Sequence, residues 1–190
     1  MKAHARVVAF DDGPFGWDDE RTDVIGVVAR GPDYVEAVLR TEVLVDGDDA
    51  TERLLAALRT SRYREGLRAI LLDGVVLGGF NVVDLAGLHA ELRIPVVAFT
   101  RDTPDFDAIR AALEKHFPDG PRRFALLSQW PPAPVDLPNG RAHVSALGMT
   151  VPEASALLAS LTVRGLVPEP LRLAHLIAAG VGRGESRGRP

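Results

Sequence analysis

The sequence contains no cysteine among its 190 residues. Disulfide bonds, zinc sites built on thiolates and cysteine nucleophiles are therefore excluded. Lysine is nearly absent as well. Of the 22 basic residues, only Lys2 and Lys115 are lysines, and the others are arginines. Selection for phosphate contacts would produce this bias, and so would the base composition of the genome. The net charge of −4 argues against a broad nucleic-acid-binding surface.

Long apolar runs are also missing. No stretch approaches the roughly 18 consecutive apolar residues that a membrane-spanning helix needs. The start, MKAHARVVAFDD, lacks the apolar length of a signal peptide. We therefore expect a soluble, cytoplasmic protein with no membrane partner. The hydrophobic content of 46% is sufficient for the core of one domain, which we expect at residues 1–180, with an irregular tail at 181–190.

The order of apolar segments and turn residues predicts a mixed α/β fold. Three Val-rich segments joined by short links predict antiparallel strands at 5–11, 23–30 and 35–46. The later segments alternate between helix and strand patterns, which favours parallel crossovers. They predict helices at 50–60, 82–92, 105–116, 151–164 and 169–180, and strands at 68–73, 94–99 and 142–147. We expect 117–140, rich in Pro and Gly, to be irregular around one short strand, FALLSQW. This order is the ribonuclease H-like arrangement, a mixed sheet flanked by helices.

Three of these strands run directly into acidic residues. Residues 7–15 read VVAFDDGPF, residues 44–49 read LVDGDD and residues 70–74 read ILLDG. A carboxylate at the end of a buried strand needs a compensating cation, and a hard divalent ion such as Mg²⁺ prefers oxygen ligands. Each Asp-Gly pair taken alone is a common turn signal. Three of them together predict a metal site at one end of the sheet.

The ligand within each acidic group is left open by the pattern. Adjacent strand residues point to opposite faces, so Asp11 or Asp12 faces the site, and we favour Asp11. In the second group the candidates are Asp46, Asp48 and Asp49. Asp49 also precedes Thr51 and Glu52 in a good helix start, so helix capping is its alternative role.

Asp73 is followed by an apolar, glycine-containing loop that includes Gly78, Gly79, Phe80 and Asn81. An aromatic ring beside glycines is suited to accept a planar base, although a small structural cluster has the same sequence. A turn or a helix cap is the alternative role for Asp73.

PEPLRLAHLIAAG at 168–180 predicts a helix that starts at Pro170. Arg172 and His175 are three residues apart and share one face of it. A histidine on an apolar helix is most often structural. Beside a metal site, His175 becomes a candidate for an acid, a base or a group that orients water.

Taken together, these motifs resemble endonuclease V and, more closely, the endonuclease dU family. The resemblance spans nearly the whole chain, through DDGPF, VDGDDATE, LDG with GFNVVD, IPVVAF, PEPLRLAH and GESRGR. It implies a Mg²⁺-dependent enzyme with a ribonuclease H-like fold that cuts nucleic acid near deaminated bases, and for the dU family DNA at deoxyuridine.

The resemblance also implies roles for individual residues. It assigns the first-strand Asp to Asp11, the second carboxylate, a Glu in endonuclease V, to Asp49, the DG-strand Asp to Asp73 and the motif His to His175. These three carboxylates would hold one or two Mg²⁺, with Mn²⁺ as a substitute. The Lys after the IP strand becomes Arg101, which keeps the charge but not the titratable amine.

Two departures concern base recognition. Nothing in 34–49 reproduces the Pro-Tyr-Ile-Pro wedge of endonuclease V, and Gly79-Phe80-Asn81 replaces its His-Pro-Arg. We expect Gly78 to Asn81 to hold an extruded base, with the Asn81 amide on its edge, and Arg101 and Arg172 to contact the DNA backbone.

The alternatives to a DNA endonuclease are a non-catalytic nucleic-acid-binding protein with the same fold and a nuclease acting on RNA.

Overall fold

A computed structural model of the protein describes residues 5–16 and 18–186, which fold around a mixed sheet flanked by helices. The strands are β1 (Arg6–Asp12), β2 (Arg21–Arg30), β3 (Tyr34–Leu44), β4 (Leu67–Asp73), β5 (Val76–Leu77), β6 (Asn81–Val82), β7 (Val96–Thr100), β8 (Ala133–Leu137) and β9 (Gly140–Leu147). The helices are α1 (Ala50–Thr60), α2 (Leu85–Leu92), α3 (Phe106–His116), α4 (Gly120–Ser128), α5 (Val151–Leu161) and α6 (Glu169–Arg183).

The main sheet has seven strands in the order β3-β2-β1-β4-β7-β9-β8, and β5 and β6 form a separate hairpin. Strands β1, β2 and β3 are antiparallel neighbours, as predicted. Strand β4 is parallel to both β1 and β7, and β9 is antiparallel to β7 and β8. The crossovers through α1 and α2 therefore return the chain in the same direction. The predicted ribonuclease H-like mixed sheet is confirmed.

Alternate residues of the central strands face two different helix layers. On β1, Val8 and Phe10 belong to the core shared with α1 and α2, whereas Val7 and Ala9 belong to the core shared with α5 and α6. All four side chains are fully buried. Since side chains alternate along a strand, Asp11 continues the series of Val7 and Ala9 and faces the layer that contains α6.

Helix α6 packs on the antiparallel half of the sheet through small residues. Ala174 and Ala178 lie against Ile25, Val27 and Ala29 of β2. Their spacing of four residues places both on one face of the helix. The short side chains let α6 lie close to β1 and β2. The neighbouring face of α6, which carries His175, is thereby held near the end of β1.

The region 117–140 differs most from its prediction. FALLSQW, predicted as a strand, lies mostly in helix α4, which starts after Asp119 and carries Pro121 in its first turn, where proline is favoured. An apolar run of this length fits either structure. The rest of the region forms β8 and the turn into β9, and Pro134 is tolerated because β8 is an edge strand.

The predicted irregular tail also needs correction. Helix α6 continues to Arg183 and ends at Gly184, whose φ of 80° is a left-handed conformation that favours glycine. Residues 181–183 are therefore helical, and the part of the tail at 187–190 lies outside the described residues. None of the helices within the described residues has the length and apolar character to cross a membrane.

Candidate active site

A cavity of about 460 Å³ opens at the sheet end where β1 and β4 stop. Its lining combines acidic, imidazole, apolar and guanidinium groups. The lining residues are Asp11, Asp12, Gly13, Pro14, Phe15, Asp73, Val76, Gly79, His175, Ala179 and Arg183.

Strand register brings Asp11 and Asp73 together. In the parallel pair of β1 and β4, Phe10 is level with Leu72. The next residue on each strand is an aspartate, so the two carboxylates lie at the same end of neighbouring strands and on the same face of the sheet. Both line the cavity.

His175 reaches the same point from helix α6. Its Nδ1 lies 2.9 Å from Oδ2 of Asp11. With the proton on Nδ1, the imidazole donates this hydrogen bond and Nε2 becomes the basic nitrogen. The side chain is 31% exposed, whereas that of Asp11 is only 7% exposed. The carboxylate therefore orients an imidazole that solvent or a ligand can reach.

Burial makes the ionised forms of the cavity carboxyls unfavourable. Burial, followed by the charges of Asp73 and Asp12, raises the pKa of Asp11 to about 8. Burial also raises the pKa of Asp12, against the opposing hydrogen bond from the Gly78 amide. Burial likewise raises the pKa of Asp73, although the positive charge of Arg101 opposes this shift. A bound cation would reverse these shifts, because it favours the ionised carboxylates.

The side chains of the cavity suit a magnesium ion held by few protein ligands better than a metal ion enclosed by protein ligands alone. Within the described parts of the chain, no group of three or more His, Asp or Glu side chains is arranged to hold a metal ion. Magnesium, however, is usually bound by one or two carboxylates, with water and substrate phosphates completing its coordination. Asp11 and Asp73 provide such a pair of hard oxygen ligands.

The side chain of Asp12 links β1 to the loop that contains Gly78 and Gly79. Its Oδ2 accepts a hydrogen bond of 2.7 Å from the amide of Gly78. The amide of Asp12 in turn donates to Oδ1 of Asp11 at 2.9 Å. The negative charge of Asp12 also contributes to the raised pKa of Asp73. Of the two adjacent acids, Asp11 is the one that hydrogen-bonds to His175.

Asp49 does not line this cavity, contrary to the prediction that it joins Asp11 and Asp73. Its carboxylate accepts hydrogen bonds from the Leu44 amide at 3.0 Å, from Asn81 Nδ2 at 2.8 Å and from Arg53 Nε at 3.0 Å. It occupies the N-cap position of α1, but its side chain makes no capping bond. Asp49 therefore holds the start of α1 against β3 and β6.

Asp46 is the acid of the same segment that contacts the cavity wall. Its Oδ1 accepts a hydrogen bond of 2.7 Å from the Phe80 amide. Gly79, which lines the cavity, has a φ of 84°, and a Cβ there would lie 2.3 Å from Asp46 Oδ1. Only glycine fits this close approach. The third acid, Asp48, is exposed and lies 3.5 Å from Arg122.

The predicted base pocket around Gly78 to Asn81 is also corrected. The Phe80 ring packs edge-to-face on Phe117, with centroids 5.7 Å apart, and it does not line the cavity. Asn81 is completely buried. Its Oδ1 accepts from the Ala50 amide, and its Nδ2 donates to the Leu44 carbonyl and to Asp49. Both donors of the amide are used, so Asn81 cannot read a base edge.

The two predicted phosphate-binding arginines differ in their surroundings. Arg101 directly follows β7 and lies close enough to oppose the raised pKa of Asp73. Arg172 forms an ion pair with Glu169, through Nε at 2.9 Å and Nη2 at 2.7 Å to Oε2. Arg172 does not line the cavity, and its charge is neutralised by its own helix.

Phe15 and Arg183 line the cavity but were not among the predicted site residues. His175, Ala179 and Arg183 are four residues apart, so they follow one line along α6. That spacing was a usable signal for Arg183. Phe15 directly follows the acidic motif in DDGPF, but its neighbourhood with α6 could not be read from the sequence.

Relatives of known fold resemble the whole chain. The crystal structure of a protein of unknown function from Archaeoglobus fulgidus superposes on this chain with a TM-score of 0.83 at 33% identity. The match covers 94% of this chain and 99% of that chain. The catalytic domain of human endonuclease V has a TM-score of 0.60 at 19% identity, covering 93% and 82%. Endonuclease V of Ciona intestinalis, in complex with DNA that contains an inosine followed by a ribo-adenosine, has a TM-score of 0.58 at 14% identity, covering 90% and 82%. The chain thus shares the ribonuclease H-like fold of endonuclease V.

Sequence comparison reaches nearly every residue. A UPF0215 protein of Thermococcus gammatolerans is 44% identical over 190 residues, covering 98% of this chain and 96% of the relative. The sequence model of the family described as endonuclease dU matches residues 3–182. The chain therefore belongs to the endonuclease dU family.

Proposed function

We propose that the protein is a Mg²⁺-dependent endonuclease that cleaves the phosphodiester backbone of DNA at or near deoxyuridine or another deaminated base. Membership of the endonuclease dU family supports a nuclease that acts on nucleic acid. The observation that carries the metal-dependent chemistry is the pair of Asp11, which is buried, and Asp73, which is partly buried, with His175 hydrogen-bonded to Asp11 at 2.9 Å.

Asp11 and Asp73 would hold the ion, and their oxygen ligands would also accept Mn²⁺. When bound, such an ion acidifies a water molecule and stabilises the negative charge that develops on the phosphate. The raised pKa values of both carboxyls support this assignment, because burial makes the ionised carboxylates costly unless a cation compensates them. Asp12 contributes by holding the Gly78 amide, which fixes the loop beside the site.

His175 would orient the attacking water or a phosphate oxygen through Nε2. The hydrogen bond from Nδ1 to Asp11 fixes the plane and the tautomer of the ring, as carboxylate partners of catalytic histidines do. Arg101, beside Asp73, and Arg183, at the cavity, provide positive charge for the phosphates of the bound strand.

Cleavage of defined oligonucleotides tests this function. Purified protein would be incubated with Mg²⁺ or with EDTA and with end-labelled DNA that carries one deoxyuridine, one hypoxanthine or no lesion, as single strands and duplexes. We expect Mg²⁺-dependent cleavage of the lesion-bearing DNA. Asp136→Asn is the control for substitutions of the cavity aspartates Asp11 and Asp73, because Asp136 is an exposed aspartate on the edge strand β8. Equal cleavage in EDTA would contradict the metal-dependent mechanism.

RNA is the second candidate substrate, and one observation favours including it. The DNA bound by Ciona endonuclease V contains a ribo-adenosine after the inosine. Matched RNA and chimeric strands therefore belong in the same experiment. Binding without cleavage of any strand would instead support a non-catalytic nucleic-acid-binding protein.

A further inference from the structure

The cavity has an apolar part beside its acids. Pro14, Phe15, Val76 and Ala179 line it together with the carboxylates. Phe15 is a large hydrophobic residue that remains 38% exposed. Its position next to Asp11 and His175 distinguishes it from scattered surface hydrophobics, because the ring borders the groups that would act on a substrate.

The loop that carries Phe15 is held in place from both sides. The amide of Gly13 donates to the carbonyl of Asp23 at 2.6 Å. Pro14 packs so closely on α6 that a Cβ at Gly182 would lie 2.7 Å from Pro14 Cγ. After Phe15, the Gly16 amide donates to Asp19 Oδ2 at 2.7 Å. The ring therefore projects from a loop that the surrounding structure anchors, which lowers the entropy lost when a ligand packs on it.

We propose that Phe15 is a base-stacking residue, on whose ring a nucleobase of the bound strand packs at the mouth of the cavity. The proposal rests on the proposed function in that the ligand is a nucleic acid strand. Aromatic rings bind bases of any sequence because every base has a π-face, and loss of one stack typically weakens binding by about 10-fold. The cavity, about 460 Å³, is in the size range of small-molecule sites.

Two further observations support Phe15 in this role. Among the described residues, it is the one Phe, Tyr or Trp that lines the cavity. Phe80 packs on Phe117 instead. Arg183 also lines the cavity. A strand whose base stacks on Phe15 would thus have a cation at hand for its backbone, which an acidic cavity otherwise repels.

Fluorescence of 2-aminopurine tests the stacking, because the emission of this base analogue changes when it leaves its neighbouring bases and packs on another group. Oligonucleotides with 2-aminopurine at successive positions around one deoxyuridine would be titrated with Asp73→Asn protein, so that binding is followed without turnover. In this background we expect Phe15→Leu to raise Kd about 10-fold and to abolish the fluorescence change on binding at one position. Phe15→Tyr should retain both. Tyr34→Leu, a change at an exposed aromatic ring at the opposite end of the sheet, should change neither.

The outcomes separate this proposal from the nuclease proposal. An unchanged Kd and an unchanged fluorescence response in Phe15→Leu would overturn base stacking, even if the wild type cleaves DNA. A fluorescence change that depends on Phe15 without any cleavage by the wild type would support stacking and overturn the nuclease activity. No binding of any oligonucleotide would overturn the stacking. Thermal unfolding identifies a folding defect in Phe15→Leu, and in that case Phe15→Met, which keeps an apolar side chain without a π-face, takes its place with the same expected result.

Discussion

Asp11, near the end of β1, and Asp49, at the N-cap of α1, are in opposite electrostatic situations. Their side chains are only 7% and 13% exposed. Burial and the charges of Asp73 and Asp12 raise the pKa of Asp11 to about 8. Burial alone would also raise the pKa of Asp49, but the donors of Leu44, Asn81 and Arg53 together outweigh it and leave that pKa below its usual value.

This contrast separates a carboxylate that stabilises the fold from one that is available to a ligand. Asp49 already has the donors and the positive charge that a buried carboxylate needs, so it stabilises the fold. Asp11 faces other acids, and its partner His175 is itself open to the cavity. An excess of negative charge in a concave site is typical of groups that bind a cation or move a proton.

The largest expected effect belongs to Asp73→Asn. It should lower Mg²⁺-dependent cleavage at least about 10³-fold, because a neutral amide keeps the shape but cannot balance the charge of an ion. Without metal, the free energy of unfolding should rise, since one repelling carboxylate is removed beside Asp11. Single-turnover cleavage and urea unfolding measure the two effects. Undiminished turnover would remove Asp73 from the catalytic machinery.

His175→Ala should lower turnover by roughly 10²-fold, the usual contribution of a positioned acid or base. DNA affinity should change little, because the imidazole acts on the reacting groups rather than on the backbone. Single-turnover rates and Kd, measured well below the melting temperature, check this. A packing histidine would behave differently, and a destabilised but fully active protein would show that His175 only fills space.

Asp49→Ala should show the opposite pattern. It leaves the Leu44 amide and the Asn81 side chain without their acceptor, which lowers the free energy of unfolding by about 2 kcal/mol. Cleavage measured at low temperature should stay within a few-fold of the wild type. Urea unfolding and single-turnover rates again give both numbers. A stable but inactive Asp49→Ala would place this residue in the metal site, as the family resemblance implies.

The smallest effect is the shift in melting temperature caused by Mg²⁺. At a free concentration of ten times Kd, binding to the folded protein adds about 1.4 kcal/mol of stability. For a chain of this length, that raises Tm by roughly 3–6 °C. Asp11→Asn should lose the shift, whereas Asp49→Ala should keep it. Equal shifts in both variants would mean that the ion does not bind at the cavity carboxylates.

Local patterns were sufficient where they agreed with the packing. Helix α1 spans Ala50–Thr60, as predicted, because its periodic Leu54 and Leu58 are the residues that become buried. FALLSQW failed because an apolar run alone fits a strand or a helix. Contacts from outside the run distinguish them: Phe124 packs edge-to-face on Phe106, with centroids 6.3 Å apart.

Patterns of alternation and spacing in the sequence were enough to predict the mixed sheet, a common sheet end for Asp11 and Asp73 and the helix that carries His175. The roles of Asp49 and Asn81 could be read only from the folded chain, because their hydrogen bond joins residues 32 positions apart. The folded chain also shows that Phe15 rather than Phe80 lines the cavity. Such choices depend on how loops pack against distant elements, and the residue types alone carry no record of that packing.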